Sequence, residues 1–463
     1  MMAAHEKFKA DTLDELRCKV AELGVDVRFQ ERIEALKRPV PLGSLAVPNS
    51  IAIHPMEGCD GTPDGSPGEL TFRRYQRFAR GGAGLIWFEA TAVLHEGRAN
   101  PRQLWIHRHN VGAFAELVAR IRAAAREEFG PRFAPVLICQ LTHSGRYSRP
   151  NGKPAPTIAQ HNPYLDPKVG IPPDHPLVSD EHLERIEDAF AEAAALARDA
   201  GFDGVDVKSC HGYLSSELLG AHTREGRYGG PLENRTRFLR NVVGKTRDRV
   251  GGSLLVTCRL NVFDGVPYPY GFGQSPTGEN APDLTEPKRL VQQLYDDGMR
   301  LINISIANPY YNPHLGRPFD LPAFNLYVPP EHPLEGVARL FHLTREVQQH
   351  VPGMAVVGTG YSWLRQYLGY AGEANVRNGW VTLVGAGREA FAHPAFAREL
   401  LEHGRLDPNR VCITCSNCTQ IMRDGGPTGC VPRDRKIYTP IFVSGMRAHR
   451  HEARKPPWIA DHV

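Results

Sequence analysis

Four cysteines fall within the nineteen residues CITCSNCTQIMRDGGPTGC, at positions 412, 415, 418 and 430. The spacing C-x2-C-x2-C-x11-C suits a structural zinc ion or a [4Fe–4S] cluster, because both take four thiolates in a tetrahedral array. Zinc ribbons usually carry two separated C-x-x-C knuckles. Here Cys412, Cys415 and Cys418 are packed and Cys430 stands apart, a pattern closer to a cubane cluster. The remaining cysteines, Cys18, Cys59, Cys139, Cys210 and Cys258, are scattered. Cys139, Cys210 and Cys258 lie in or beside apolar runs and read as reduced core or near-core residues. A second pattern is the pair of glycine turns GTG (358–360) and GAG (385–387), the latter followed by Arg388. Glycines there would let backbone N–H groups approach an anion, and the guanidinium would pair with it bidentately. Plain tight turns at strand ends are the alternative reading of the same glycines.

Groups of this kind need rigid elements to aim them. Eight short β-type runs recur along the chain: 49–53, 84–92, 135–141, 203–208, 254–260, 300–306, 354–360 and 381–387. Helical patterns such as 182–201 and 284–299 separate them, with apolar residues near i, i+3, i+4 and i+7. Alternation of this sort predicts an α/β protein with a parallel (β/α)8 TIM barrel, a doubly wound open sheet being the competitor. In a barrel the chemistry belongs at the C-terminal strand ends, where HPMEGCDG, QLTHSGR, KSCHGYL, CRLN, GTG and GAGR stand. Residues 1–40 read as a helical N-terminal extension, 41–404 as the barrel, and 405–463 as a C-terminal extension carrying the four cysteines. The stretches 264–282 and 308–333 read as long loops after strands five and six. GTG and GAG lack the third glycine and the later acidic residue of a dinucleotide fingerprint, so a built-in Rossmann domain is not expected.

The stretch FDGVDVKSCHGYLSSELLGAHTREGRYGGPLENRTRF (202–238) holds HGYL followed by R-x-x-RYGG-x-x-ENR-x-RF. It resembles the flavin-dependent old yellow enzyme family, and in particular the iron–sulfur branch with 2,4-dienoyl-CoA reductase and trimethylamine dehydrogenase. HPM, QLTHSGR, VVGTG and VGAGR recur in family order, so the resemblance runs from about residue 40 to 440. It implies FMN as cofactor. Pro55 and Met56 would lie against the flavin ring, with Ala90 as a small residue contacting it. Gln140 would bond the pyrimidine edge, and Arg259 would stabilise the anionic reduced flavin. Gly360, Gly387 and Arg388 resemble the phosphate site. Tyr213 matches the family's proton donor, and His211 one of the groups that hold and polarise the substrate oxygen. The chain departs from the pattern at Lys208, where a histidine or other hydrogen bonder is common. A lysine there would favour an anionic substrate, stabilise an enolate, or pair with a nearby carboxylate. Glu57 and Cys59 receive no role. The resemblance also implies that Cys412, Cys415, Cys418 and Cys430 hold a [4Fe–4S] cluster.

With 463 residues, 41% hydrophobic and 23% charged, the composition is that of an ordinary globular protein. A net charge of +4 argues for neither a nucleic-acid footprint nor a polybasic membrane surface. No segment approaches the ~18 apolar residues of a membrane span, and the N-terminus lacks a secretory h-region. The cytoplasm is the expected location, and a homo-oligomer is compatible with it. The expected activity is an ene-reductase acting on a small unsaturated molecule. Ferredoxin, a separate reductase subunit, or NAD(P)H directly would supply electrons, the first two through the cluster. An amine or N-methyl dehydrogenase passing electrons outward is the alternative, and a flavin electron-transfer subunit without substrate chemistry a second one.

Overall fold

The computed structural model describes residues 4–278, 281–324 and 327–451. The first three residues of the N-terminal extension and 452–463 of the C-terminal one lie outside them. Eight strands form the barrel: β1 (Ile51–Ile53), β2 (Leu85–Trp87), β3 (Val136–Thr142), β4 (Gly204–Val207), β5 (Leu255–Asn261), β6 (Leu301–Ser305), β7 (Ala355–Gly358) and β8 (Leu383–Ala386). Each of the eight runs expected from the sequence holds one. They are buried on both faces, which is why they read as near-continuous apolar stretches rather than as alternating ones. Neighbours pair in parallel in the order β2-β1-β8-β7-β6-β5-β4-β3, and β3 pairs back onto β2 to close the ring. Val384 stands opposite Ile51 at one junction and Leu137 opposite Ile86 at another. The fold is a closed eight-stranded parallel α/β barrel, a TIM barrel. Strand two is interrupted after Trp87 and resumes at Thr91–Ala92, again beside β3.

One end of the barrel is plugged. The antiparallel hairpin Val40–Leu42/Leu45–Val47 packs Val40, Leu42 and Val47 against Ala52, Leu85, Val136, Leu301, Ala355 and Leu383. Most of these are the first residues of their strands, so the hairpin seals the N-terminal end and leaves the C-terminal end for loops. The two long loops stand there, and the one after β6 contains the single helical turn Pro313–Gly316 among its described residues. Downstream, Asn417–Arg423 and Arg435–His451 are helices sharing a small core of Ile421, Val431 and Tyr438. Asp434 fastens them to the barrel by accepting from Arg73 Nη1 at 2.7 Å and Arg77 Nη1 at 2.6 Å. Among the described residues no helix is long and apolar enough to cross a membrane.

The N-terminal extension contains the helix Leu13–Leu23, started by a Thr12/Glu15 capping box and ended by Gly24 in the left-handed conformation. The chain that follows is tied to the barrel by Glu373, whose carboxylate accepts from Ala35 N at 2.8 Å, Leu36 N at 3.0 Å and Arg377 Nε at 2.6 Å. Burial alone would raise this carboxyl's pKa, but these donors hold it below its ordinary value. Its stabilising contribution is therefore complete above the unfolded-state value of about 4.3 and is lost as pH falls through the folded-state value. Glu373→Ala, which strands two buried N–H groups, is expected to cost about 2–3 kcal/mol at pH 7. In urea titrations at a series of pH values, the difference from wild type should shrink as the medium is acidified below about pH 4.

Candidate active site at the open end of the barrel

A cavity enclosing about 820 Å³ of non-protein space, solvent at its mouth included, opens over the C-terminal strand ends. Pro55, Met56, His211, Arg259, Gly360, Gly387 and Arg388, seven of the eleven barrel residues singled out from the sequence, line it. Ala90, Gln140, Lys208 and Tyr213 are buried beside these strand ends but do not form its wall. The wall also contains His54, which opens the HPM motif but was given no role, and Ser305, Arg317 and Ser362, which no motif marked.

Beneath the cavity, Asp206 on β4 gathers the barrel's interior polar groups. It accepts from Trp87 Nε1 at 2.7 Å, Gln140 Nε2 at 2.6 Å and the Arg259 backbone N–H at 2.5 Å. Burial pushes its carboxyl up to about 6, and the three donors oppose a larger rise. The amide of Gln140 is thereby oriented from below. His54 is locked in the same way: Asn303 Nδ2 donates to its Nδ1 at 3.1 Å, and its Nε2 donates to Gly358 O at 3.2 Å. Gly385 makes room for this ring, since a Cβ at 385 would stand 2.3 Å from it.

One end of the cavity is strongly cationic. Arg388 Nη2 donates to Pro318 O at 2.7 Å, Arg317 Nη1 donates to Thr419 Oγ1, and both guanidiniums line the wall. Arg388 Nη1, Arg317 Nε and Arg259 Nε are buried without a partner among the described residues. Burial and the neighbouring Arg388 bring the Arg317 guanidinium down to about 9. Cations crowded in this way are relieved by an anion. Gly360 completes the end with φ of 103°, which only glycine adopts without strain.

At another wall, His211 holds a left-handed φ of 65°, a strained conformation for a residue with a Cβ. Its Nε2 stands 3.2 Å from Ser305 Oγ. Burial, Arg259 and Lys208 hold its pKa well below the ordinary histidine value, so the ring is neutral. Two residues on, Tyr213 donates its hydroxyl to Glu57 Oε1 at 3.1 Å. Lys208 Nζ lies 3.6 Å from the same oxygen and 3.6 Å from the Tyr213 ring centroid. Of the alternatives for Lys208, pairing with a carboxylate is the one seen in this structure. Burial lowers its pKa, and Glu57 works against that. Burial followed by the Glu57 charge drives the Tyr213 phenol well above its ordinary value, so it keeps its proton.

The four cysteines border this machinery. Cys412 is buried and the other three are half-buried. Each of Cys412, Cys415 and Cys418 opposes ionisation of Cys430, so the four thiols lie within electrostatic reach of one another. Among the described residues no three His, Cys, Asp or Glu side chains are gathered around a single-ion site. Thr414 and Ser416 take left-handed φ values of 48° and 59° between the cysteines, and the loop after β6 holds them there. Asp320 N donates to Thr414 O at 3.2 Å, and Ser416 Oγ donates to Leu321 O at 2.6 Å. Thr414 N donates to Cys412 Sγ at 3.4 Å.

Residues 35–280 match the model of the NADH:flavin oxidoreductase / NADH oxidase family. The chain belongs to that family. It is 32% identical over 244 residues to an NADPH dehydrogenase of Geobacillus sp., covering 50% of this chain and 67% of that one. To an NADH oxidase of Thermoanaerobacter brockii it is 25% identical over 379 residues, 81% of this chain and 52% of that one, so it spans about half of that relative. A 2-naphthoyl-CoA reductase in complex with 2-naphthoyl-CoA superposes with a TM-score of 0.68 at 18% identity, covering 90% of this chain and 58% of that one. The chain is thus an oxidoreductase of the old yellow enzyme / NADH:flavin oxidoreductase family, and the family implies FMN. The unpartnered guanidinium atoms and the glycine-lined end fit a flavin phosphate.

Sequence reading overlooked Arg317, and it noted Glu57 without giving it a role. Arg317 lies in a loop without a motif, and the only signal at Glu57 was a carboxylate at a strand end. Arg388→Ala is expected to weaken FMN binding about 10- to 100-fold, the loss of one charge-assisted pair. Riboflavin, which lacks the phosphate, should be affected far less. Fluorescence titration of the apoprotein with each flavin measures both.

Proposed function

We propose that the chain is an FMN- and [4Fe–4S]-containing ene-reductase of the iron–sulfur branch, reducing an activated C=C bond in an α,β-unsaturated carbonyl or carboxylate. The observation that carries this reading is the protonated Tyr213, fixed by Glu57 and Lys208 two residues from the neutral, cavity-lining His211. An electron-transfer subunit has no need of such a donor. When bound, reduced FMN supplies the hydride, and a cluster would pass electrons singly. Pro55, Met56 and Ala90 would shape the flavin's bed, Gln140 and Arg259 its polar edge, and Gly360, Gly387, Arg388 and Arg317 its phosphate. His211 would bind the substrate oxygen and draw charge from the double bond, while Tyr213 delivers its proton to the α-carbon. Lys208, paired with Glu57, would add positive charge beside Tyr213. Lys208 also disfavours an amine cation, which counts against the dehydrogenase alternative.

Cys412, Cys415, Cys418 and Cys430 would hold the cluster. Three close cysteines with a remote fourth suit a four-iron cube better than the paired knuckles of a zinc ribbon. NAD(P)H is the proposed reductant, in keeping with the names of the relatives, and ferredoxin or a separate reductase subunit is the proposed donor to the cluster.

Protein purified without oxygen should show flavin bands and a broad shoulder bleached by dithionite. A spectrum with no iron–sulfur absorption would overturn the cluster. Cys415→Ala should lose iron while retaining FMN, read by metal analysis and flavin extraction. Tyr213→Phe should slow reoxidation of reduced flavin by an enone by about 100-fold, with reduction by NADPH unchanged. An unaltered oxidative half-reaction would remove Tyr213 as the donor.

A further inference from the structure

Glu57 directly follows Met56 on the cavity wall. Its Oε1 atom receives the Tyr213 hydroxyl at 3.1 Å, lies 3.6 Å from Lys208 Nζ, and receives Gln103 Nε2 at 3.4 Å. The three side chains that meet here differ in their access to water. Tyr213 is 3% exposed and the Lys208 side chain 5%, whereas the Glu57 side chain is 15% exposed. A buried phenol that gives up a proton each cycle must recover one, and Glu57 is the carboxyl that touches both that phenol and solvent.

We propose that Glu57 relays a proton from solvent to Tyr213 after each turnover. The inference rests on the reading of Tyr213 as proton donor. As the Tyr213 O–H bond breaks and the substrate α-carbon gains a C–H bond, a phenolate remains, its charge faced by the Lys208 ammonium. The Glu57 carboxylate then takes a proton from solvent and passes it to the phenolate oxygen, returning to the carboxylate that pairs with Lys208. The sum is one solvent proton delivered to substrate for each hydride, with no side chain oxidised or reduced. Tyr310 is the rival path, since it interacts with Tyr213 and is 39% exposed. Its phenol, pushed up to about 12 by burial and Glu57, is a poorer relay than a carboxyl.

The test uses holoenzyme and a simple enone. A first turnover draws on the proton already on Tyr213, and later ones need the relay. In Glu57→Gln, stopped-flow reoxidation of pre-reduced enzyme should stay within about 3-fold of wild type, while steady-state turnover falls roughly 100-fold, the lower end of general acid–base effects. Formate should restore much of the turnover in Glu57→Ala, which a purely structural role would not allow. Tyrosine Cζ NMR of the oxidised holoenzyme, with Tyr213 assigned by its loss in Tyr213→Phe, should show that signal moving in Glu57→Gln. Unchanged steady-state turnover in Glu57→Gln, no formate rescue, or the same loss in Tyr310→Phe instead would overturn the relay. If Tyr213→Phe slows the first turnover while Glu57→Gln leaves steady-state turnover unchanged, the relay alone fails. If Tyr213→Phe leaves the first turnover unchanged, the donor assignment fails with it.

Discussion

Three guanidiniums, Arg259, Arg317 and Arg388, face one cavity, and among the described residues none forms an ion pair with a carboxylate. Burying charge without a partner is costly, so the open end of the barrel is built around a demand for an anion. The hairpin plug at the opposite end and the Asp206 hub beneath the cavity keep the strand ends rigid, so that these cations cannot turn away. A flavin phosphate and an electron-rich flavin edge are the anionic partners the family supplies.

The same demand joins the barrel to the cysteine segment. Arg317 sits on the cavity wall and bonds Thr419, while Phe324 N donates to Gln420 Oε1 at 2.8 Å. The loop after β6 thus has one face on the cavity and the other on the cysteine segment. Its Asp320 is anchored from the barrel side by Arg365 Nη2 at 2.5 Å. Thr414 and Ser416 are held in strained conformations by that loop, so the shape of the cysteine segment depends on the barrel as much as on its own sequence.

The loop after β1 does the corresponding work for protons. Arg74 pairs with Asp60 at 2.5 Å and with Glu89 at 2.5 Å, all three nearly buried, and Glu89 Oε2 accepts from Gly58 N at 2.7 Å. A Cβ at Gly58 would overlap the Arg74 guanidinium at 2.2 Å. Thr428 N donates to Gly58 O at 2.6 Å. Glu57 therefore stands on a segment clamped on both sides, which holds its carboxyl at the Tyr213 hydroxyl. A buried network of this kind adds little net stability but fixes geometry.

The eight strands were legible in the chain because strands buried on both faces leave unbroken apolar runs, and local order of this kind is written in neighbouring residues. The glycine turns, Arg388 and the cysteine spacing were legible for the same reason: each is a short-range pattern. Their gathering was not. Glu57 meets Tyr213 across 156 residues and Arg317 meets Thr419 across 102, and no periodicity records such a meeting. The role open to Lys208 likewise turned on which carboxyl stood opposite. Residue types and local spacing settled the barrel and the kinds of group it would bring to its open end. Barrel closure decided which of them touch, because it alone brings the ends of β1, β4 and β6 and the cysteine segment into one volume.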